Sequence, residues 1–191
     1  FKYSRFLKVI DSSHESVTSN ITTVEMRRDL RLATSEVAEY AIGFGNEFHV
    51  RSMNGFNIRS SAFRVLNINT DVYLYDVPDS TAEKGQISLF SLDEGSSTPV
   101  IQRRNIGVID YKKGRITLDP INIVSGKTKD NVDILEISAT PESNDIIGLQ
   151  DLYLQLDSSF VDMVVDEISS GADPSGSTYT VTTSYKNGNI I

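Results

Sequence analysis

His14 and His49 are the only imidazoles in the 191-residue chain, and imidazole is the side chain that ligates metals and moves protons near neutral pH. The two lie far apart in sequence, and neither has carboxylates at a metal-ligand spacing. Each is expected to be an ordinary polar or packing residue. A serine beside an acid, as at Ser35-Glu36, would need His49 brought to it by folding to become a nucleophile, and no Gly-x-Ser-x-Gly elbow presents one. The acid pairs Asp130 with Asp133, and Asp162 with Asp166, would suit glycoside hydrolysis if a cleft raised one pKa and left the other normal. With 26 Asp and Glu in the chain such pairs arise readily. They are expected to be solvated surface carboxylates, and no catalytic residue is assigned.

Gly43-Phe44-Gly45 begins like a dinucleotide fingerprint, but Phe48 occupies the place of the third glycine and no strand-helix-strand context surrounds it. A tight loop or bulge is the expectation. No Gly-x-x-x-x-Gly-Lys-Ser/Thr loop is present either, so no phosphate cradle, cofactor or metal ligand is assigned. Arg27, Arg28 and Arg31 form one basic cluster and Gln102-Arg103-Arg104 another, with Phe44, Phe48, Phe56 and Phe63 as aromatics elsewhere. A formal charge of -8 opposes phosphate binding, which favours carboxylates of a partner protein or solvent over nucleic acid. Asn20-Ile21-Thr22 fits a glycosylation sequon, but nothing in the sequence marks secretion.

The elements that must position these residues are mostly extended. A hydrophobic fraction of 39% with 23% charged residues describes a chain that folds, as one domain or two small ones with a boundary near residues 125–130, at Ser125-Gly126-Lys127. No cysteine is present, which removes disulfides and thiolate sites. No apolar run reaches the length of a membrane-spanning helix, so a membrane is not among the expected partners. Because the chain opens on Phe1 without a leader, it is read as part of something longer.

Phe6, Leu7 and Ile10, with Tyr3, fall on one face of a short amphipathic helix over Phe1 to Ile10. Over Ile21 to Leu32 the alternation of Val24, Met26 and Arg28 favours a strand, although Val24, Arg27, Arg28 and Arg31 would also suit a helix. Glu47 to Met53, Ala62 to Leu66, Asp71 to Val77 and Gly85 to Leu92 are β-branched or aromatic segments separated by Asn54-Gly55, Asn69, Pro78-Asp79 and Glu94-Gly95. Further strands are expected at Val100 to Arg103, Val132 to Ala139 and Leu152 to Asp157. Asn105 to Leu118 is a β-hairpin: Val108, Asp110, Ile116 and Leu118 suit extended arms, and Lys112, Lys113 and Gly114 make the reversal, Gly114 with positive φ. Thr178 to Tyr185 alternates like an edge strand after a Gly- and Ser-rich linker. The expected class is therefore α+β, mainly antiparallel β with a short N-terminal helix and β-hairpins.

Several blocks recur in one order along a known protein family. Ser4-Arg5-Phe6, Ile10-Asp11-Ser12-Ser13 and Ser19 to Arg28 come first. Arg59-Ser60-Ser61-Ala62-Phe63 and Gly107-Val108-Ile109-Asp110-Tyr111 with Gly114 follow, and Ala139-Thr140-Pro141 with Asn144-Asp145-Ile146-Ile147 close the series. In these the chain resembles the C-terminal region of the baseplate wedge protein that forms the inner ring of contractile-tailed bacteriophages. The resemblance implies a noncatalytic virion protein that pairs with itself as a homodimer, binds other wedge proteins and helps close a ring around the hub. It implies no cofactor, and it does not map contacts onto residues.

From the residues themselves, the apolar segment Phe160, Val161, Met163, Val164, Val165 and Ile168, with Ile190 and Ile191, is the candidate interface. An apolar run alone does not distinguish interface from local core. The alternative function is a carbohydrate- or receptor-binding β-module in which loop aromatics such as Tyr73, Tyr75 or Phe90 stack on sugar. A two-acid hydrolase ranks behind both.

Overall fold

Tyr3, Phe6, Leu7 and Ile10 do share a helix face: α1 spans Tyr3–Asp11 in a computed structural model of the chain. The structure describes residues 1–34, 36–93, 95–148, 152–164, 168–172, 178–181, 185–186 and 189–190. They divide into two units, Phe1–Leu152 and Tyr153–Ile191. Ser125-Gly126-Lys127 falls inside the first.

The first unit is built on two antiparallel sheets, with strands numbered along the chain. The smaller has the order β1 (Met26–Arg31), β10 (Val132–Ala139), β3 (Ile58–Ser60), and β9 (Lys127–Lys129) also pairs with β10. The larger runs β2 (Val37–Gly43), β8 (Arg115–Ser125), β7 (Pro99–Asp110), β6 (Lys84–Leu92), β5 (Tyr73–Pro78), with β4 (Arg64–Val65) also on β8. Alternation explains how they meet: Leu135, Ile137 and Ala139 point one way from β10, Ile116, Leu118 and Ile123 do so from β8, and all join one buried cluster. The fold is α+β and mainly antiparallel β, as the sequence leads one to expect.

Register shifts interrupt the larger sheet, among them one between Leu89 and Phe90, which pair with Arg103 and Ile101 and leave Gln102 unopposed. Ala38 pairs with Ile121 and Tyr40 with Leu118, so Glu39 faces both Asp119 and Pro120. Proline has no N–H for a ladder, and a bulge is where a strand tolerates one. Another lies between β6 and β7: Ile87 pairs with Gly107 but Leu89 with Arg103, leaving Ser88 opposite Arg104, Asn105 and Ile106. Asn105 takes φ of 54° there and donates its N–H to the Ser88 hydroxyl at 3.2 Å. Beyond this bulge β8 pairs with β7 only over Gly107–Asp110.

The hairpin of β7 and β8 turns at Tyr111 to Gly114, with Asp110 paired to Arg115 and Gly114 at φ 58°. The β9–β10 hairpin turns on Asp130 and Asn131, both at positive φ (50° and 61°), the type I′ geometry that suits a two-residue connection.

No side chain of its own caps α1, whose N-cap position is Lys2. Asp145 does this from far along the chain, accepting the Tyr3 N–H at 2.9 Å and the Lys2 ammonium at 3.1 Å. The helix N-terminus carries unpaired N–H groups and partial positive charge, which a carboxylate satisfies. The Tyr3 N–H and Lys2 hold the Asp145 carboxyl below its ordinary value of 3.8. A depressed carboxyl pKa contributes stability that is fully present above the unfolded value and is lost as pH falls through the folded one. The Tyr3 amide resonance is therefore expected to titrate with a midpoint below 3.8, with α1 fraying on the acid side. In Asp145→Ala, which removes the acceptor, the helix should be frayed at every pH. A midpoint at or above the ordinary value would refute the cap.

The sequence expectations for Glu47 to Met53 and Leu152 to Asp157 need correction, since neither is a strand. In the first, Phe48 gives its N–H to the Tyr111 carbonyl and His49 to Thr140, at 2.8 and 2.9 Å. These bonds lead to two different segments, so no ladder forms. Leu152 to Asp157 has no strand partner among the described residues. Val100 to Arg103 is not separate from the hairpin but the first half of β7.

In the second unit, Ile168–Ala172 pairs antiparallel with Thr178–Val181, and Tyr185–Lys186 with Asn189–Ile190. A 3-10 turn over Ser158–Phe160 is capped by Asp157, which accepts the Ser159 N–H at 3.1 Å.

Candidate functional site

The larger sheet has one face on the core and one outside, and the outer face carries two adjoining features. The strand register sets their order: Tyr73 opposite Phe90 opposite Ile101, then Tyr75 opposite Ser88, then Val77, Gln86 and Val108, then Lys84, Asp110 and Arg115.

At the Tyr73 end lies an aromatic cluster. Phe56 reaches over from the loop before β3, stacking on Tyr75 with ring centroids 5.0 Å apart and meeting Phe90 edge-on at 5.4 Å. Tyr73 lies 5.4 Å from Phe90. Phe56 holds φ of 62°, a conformation costly for a bulky residue, and is still 50% exposed. Beneath it Tyr75 is buried, with its hydroxyl unpaired among the described residues. Such pairs contribute more than their area alone. The three aromatics singled out from the sequence are thus brought together, on strands β5 and β6 rather than on loops.

At the other end the face is a groove of about 680 Å³ whose lining includes Lys84, Arg104, Lys113 and Arg115 with Asp79 and Asp110. Both acids are engaged locally. Asp110 accepts the Lys113 N–H at 2.9 Å and has the Lys113 ammonium at 3.8 Å. Asp79 takes the Thr81 hydroxyl and N–H at 2.7 and 3.0 Å, which lower its carboxyl pKa, the hydroxyl bond most. Lys84, Arg104 and Arg115 have no ion pair among the described residues.

Behind this face lies the most heavily bonded carboxylate among the described residues of the first unit. Asp76 is fully buried. Its Oδ1 accepts the N–H groups of Asn57 and Ile58 at 2.8 and 3.0 Å, and its Oδ2 accepts Asn57 Nδ2 and the Tyr111 hydroxyl at 2.7 and 2.6 Å. Four donors fill the acceptor positions of a carboxylate. Burial, and then the bond to Asp76, push the Tyr111 hydroxyl well above the ordinary tyrosine range. With every position filled inside the core, this cluster holds the Phe56 loop and the β7–β8 turn in place.

The remaining candidates scatter. Asp130 and Asp133 belong to the β9–β10 hairpin, Asp130 at its turn, and Asp166 lies outside the described residues. His14 is exposed and accepts the Ser16 N–H, whereas His49 has Glu142 at 2.7 Å, both exposed. Sequence spacing hid that pair because its members are 93 residues apart. Gly45, in the Gly43-Phe44-Gly45 segment, turns the chain with φ of 70°. Arg27 faces Asp29 and Glu136, each at 3.9 Å, and Arg28 donates to the Gly43 carbonyl. Among the described residues no group of three or more His, Asp or Glu could hold a metal ion, and no helix is long and apolar enough to cross a membrane.

Of the interface candidates, Val161, Met163 and Val164 are exposed, the last two at 90% and 84%. Phe160 ends the 3-10 turn, and Ile168 and Ile190 pair through their backbones with Val181 and Tyr185. Val165 and Ile191 lie outside the described residues. Leu152, Tyr153, Leu154 and Leu156 extend the exposed apolar run toward the N-terminus. Neither a protein-family model nor a curated protein matches the chain.

Proposed function

We propose that this chain is a noncatalytic structural part of a contractile-tail phage baseplate, a module that pairs with itself and binds other wedge proteins in the virion after assembly in the host cytoplasm. The observation that carries the reading is the set of exposed apolar side chains in the second unit, Tyr153, Leu154, Leu156, Val161, Met163 and Val164. So many large apolar side chains left in solvent within a dozen residues favour a surface that another protein covers. The order of the blocks that resemble the wedge family adds to it. So does the sheet framework, which holds relative orientation while edges and loops make contacts.

The test is co-purification of the full chain with the wedge proteins of a contractile-tailed phage, beside the sedimentation of the chain alone. Met163→Asp with Val164→Asp is expected to weaken assembly about tenfold or more while leaving the melting of the protein unchanged. Loss of folding in that variant would place these residues in a local core, and a wild-type chain that joins no wedge complex would end the baseplate reading.

A second reading is favoured by one observation: Phe56, Tyr73 and Phe90, packed around the buried Tyr75, form a partly exposed aromatic surface on a β-module, as sugar stacking requires. Under it a glycan screen finds a ligand that Phe56→Ala loses, and wedge proteins are ignored.

A further inference from the structure

Beyond the β6–β7 bulge the first half of β7 departs from the body of the sheet. Over Pro99–Arg103 it pairs with β6 on one side and, among the described residues, with no strand on the other, and residues Pro99 to Asn105 are all exposed. The divergence has a cause on each side. Three β7 residues oppose Ser88 alone, and β8 is bent by its own bulge at Asp119-Pro120, beyond which it pairs with β4. Among the described residues a row of backbone N–H and C=O groups is left without a backbone partner along the outer edge of β7, and such an edge is a template for an added strand.

The side chains along this edge specify what that strand carries. Val100 and Ile101 are both exposed, Ile101 at 41%, and alternation places them on opposite faces. Arg103 is in register with Leu89, on the face that continues the core side. Arg104 lines the groove on the other face. Neither arginine has an ion pair or side-chain hydrogen bond among the described residues, whereas Gln102 is tied to the Ser91 hydroxyl at 2.8 Å. The groove that Arg104 enters also holds Lys84 and Arg115, while its two acids are engaged by Thr81 and Lys113. A chain of formal charge -8 has therefore gathered unpaired cations at one exposed edge.

We infer that the open edge of β7 docks an extended acidic segment of another protein, which adds a strand antiparallel to Pro99–Asn105. In that register two adjacent acids meet Arg104 and Arg103, a small polar residue passes Gln102, and two β-branched residues cover Ile101 and Val100. A second copy of this chain fits poorly. Two-fold pairing about Gln102 sets Ile101 against Arg103 and Val100 against Arg104, and gathers four guanidinium groups with no carboxylate. The inference deepens the reading of the chain as an assembly module by giving the chemistry of one partner, and depends on that reading only in that the chain works by docking.

The probe is a synthetic peptide of about ten residues centred on Glu-Glu-Thr-Val-Val, titrated into the full chain with amide hydrogen exchange read at Val100 to Arg104. Expected are binding, slowed exchange at those amides of this stretch that face away from β6, and loss of both when the peptide is N-methylated at alternate residues along its pairing edge. Arg103→Glu with Arg104→Glu is expected to weaken binding about tenfold or more, and a Lys-Lys-Thr-Val-Val peptide to recover it on that variant. Both arginines are exposed, and the N-methyl comparison leaves the protein unaltered, so misfolding cannot imitate the result. Equal affinity for the N-methylated peptide, equal affinity of the wild-type chain for the lysine peptide, or protection of the edge by self-association would each overturn the inference. A chain that binds the acidic peptide but joins no wedge complex supports the edge and ends the baseplate reading. One that joins the complex and ignores the peptide does the reverse.

Discussion

The Asp76→Ala chain is expected to be less stable than wild type by about 4 kcal/mol, read from the denaturation midpoint at constant slope. The substitution removes the common acceptor of four donors, the Asn57 and Ile58 N–H groups, Asn57 Nδ2 and the Tyr111 hydroxyl. Each is left near the core without a replacement, and a buried unpaired donor costs more than the bond it once made contributed. Asp76→Asn keeps one oxygen but turns an N–H₂ toward donors, so about 2 to 3 kcal/mol is expected. Tyr111→Phe removes only one of the four donors and should cost less than either. It should also change the alkaline limb. The Tyr111 hydroxyl is raised above its ordinary value by burial and by Asp76, so its contribution is fully present below about pH 10 and is lost as pH rises toward the folded value. Wild type should therefore lose stability more steeply than Tyr111→Phe above that pH, and parallel curves would refute the coupling.

Gly114→Ala is expected to cost about 3 kcal/mol, or about 10 °C in melting temperature for a chain of this size. Two effects add. Gly114 holds φ of 58°, which an L side chain adopts at a cost of about 1–2 kcal/mol. A Cβ there would also collide with the backbone carbonyl of Asn46, and a backbone atom cannot swing away as a side chain can. Relief by moving the turn would stretch the bond from the Phe44 N–H to the Gly114 carbonyl, 2.7 Å, and from the Gly114 N–H to Tyr111, 3.2 Å. Tyr111 also donates to Asp76. The two substitutions therefore share a partner, and the double variant should lose less than the sum of the singles. Strict additivity would mean that the turn and the buried carboxylate are independent.

Local pattern made the elements legible, and long-range pairing decided the rest. The spacing of Tyr3, Phe6, Leu7 and Ile10 declares α1, and Gly114 declares its turn, because both depend on residues within a few positions of each other. Glu47 to Met53 has strand-like composition but becomes a loop because its N–H partners, Tyr111 and Thr140, belong to different segments. Asp76 looks in sequence like one acid among many. Its importance comes from Asn57, Ile58 and Tyr111, which no spacing rule connects to it. Tyr73, Tyr75 and Phe90 could be singled out as aromatics, but not the arrival of Phe56 in a left-handed conformation to stack on them. The open edge of β7 was hidden for a related reason. Arg103 and Arg104 are visible as a basic pair, but their exposure follows from three residues facing one serine across the ladder.

The contact between Phe1 and Ile146 has a mechanical consequence. The Phe1 backbone nitrogen donates to the Ile146 carbonyl at 2.9 Å, the Ile146 N–H donates back to Phe1 at 3.2 Å, and Asp145 clasps the helix beside them. Tension entering at Phe1 and leaving past Ile147 crosses this small clasp before it can reach either sheet. A pull along the chain would load the clasp first and, through the two bonds that join Ile147 to Asn46, pass only part of the load to the loop after β2, as a fuse takes the current ahead of the circuit behind it.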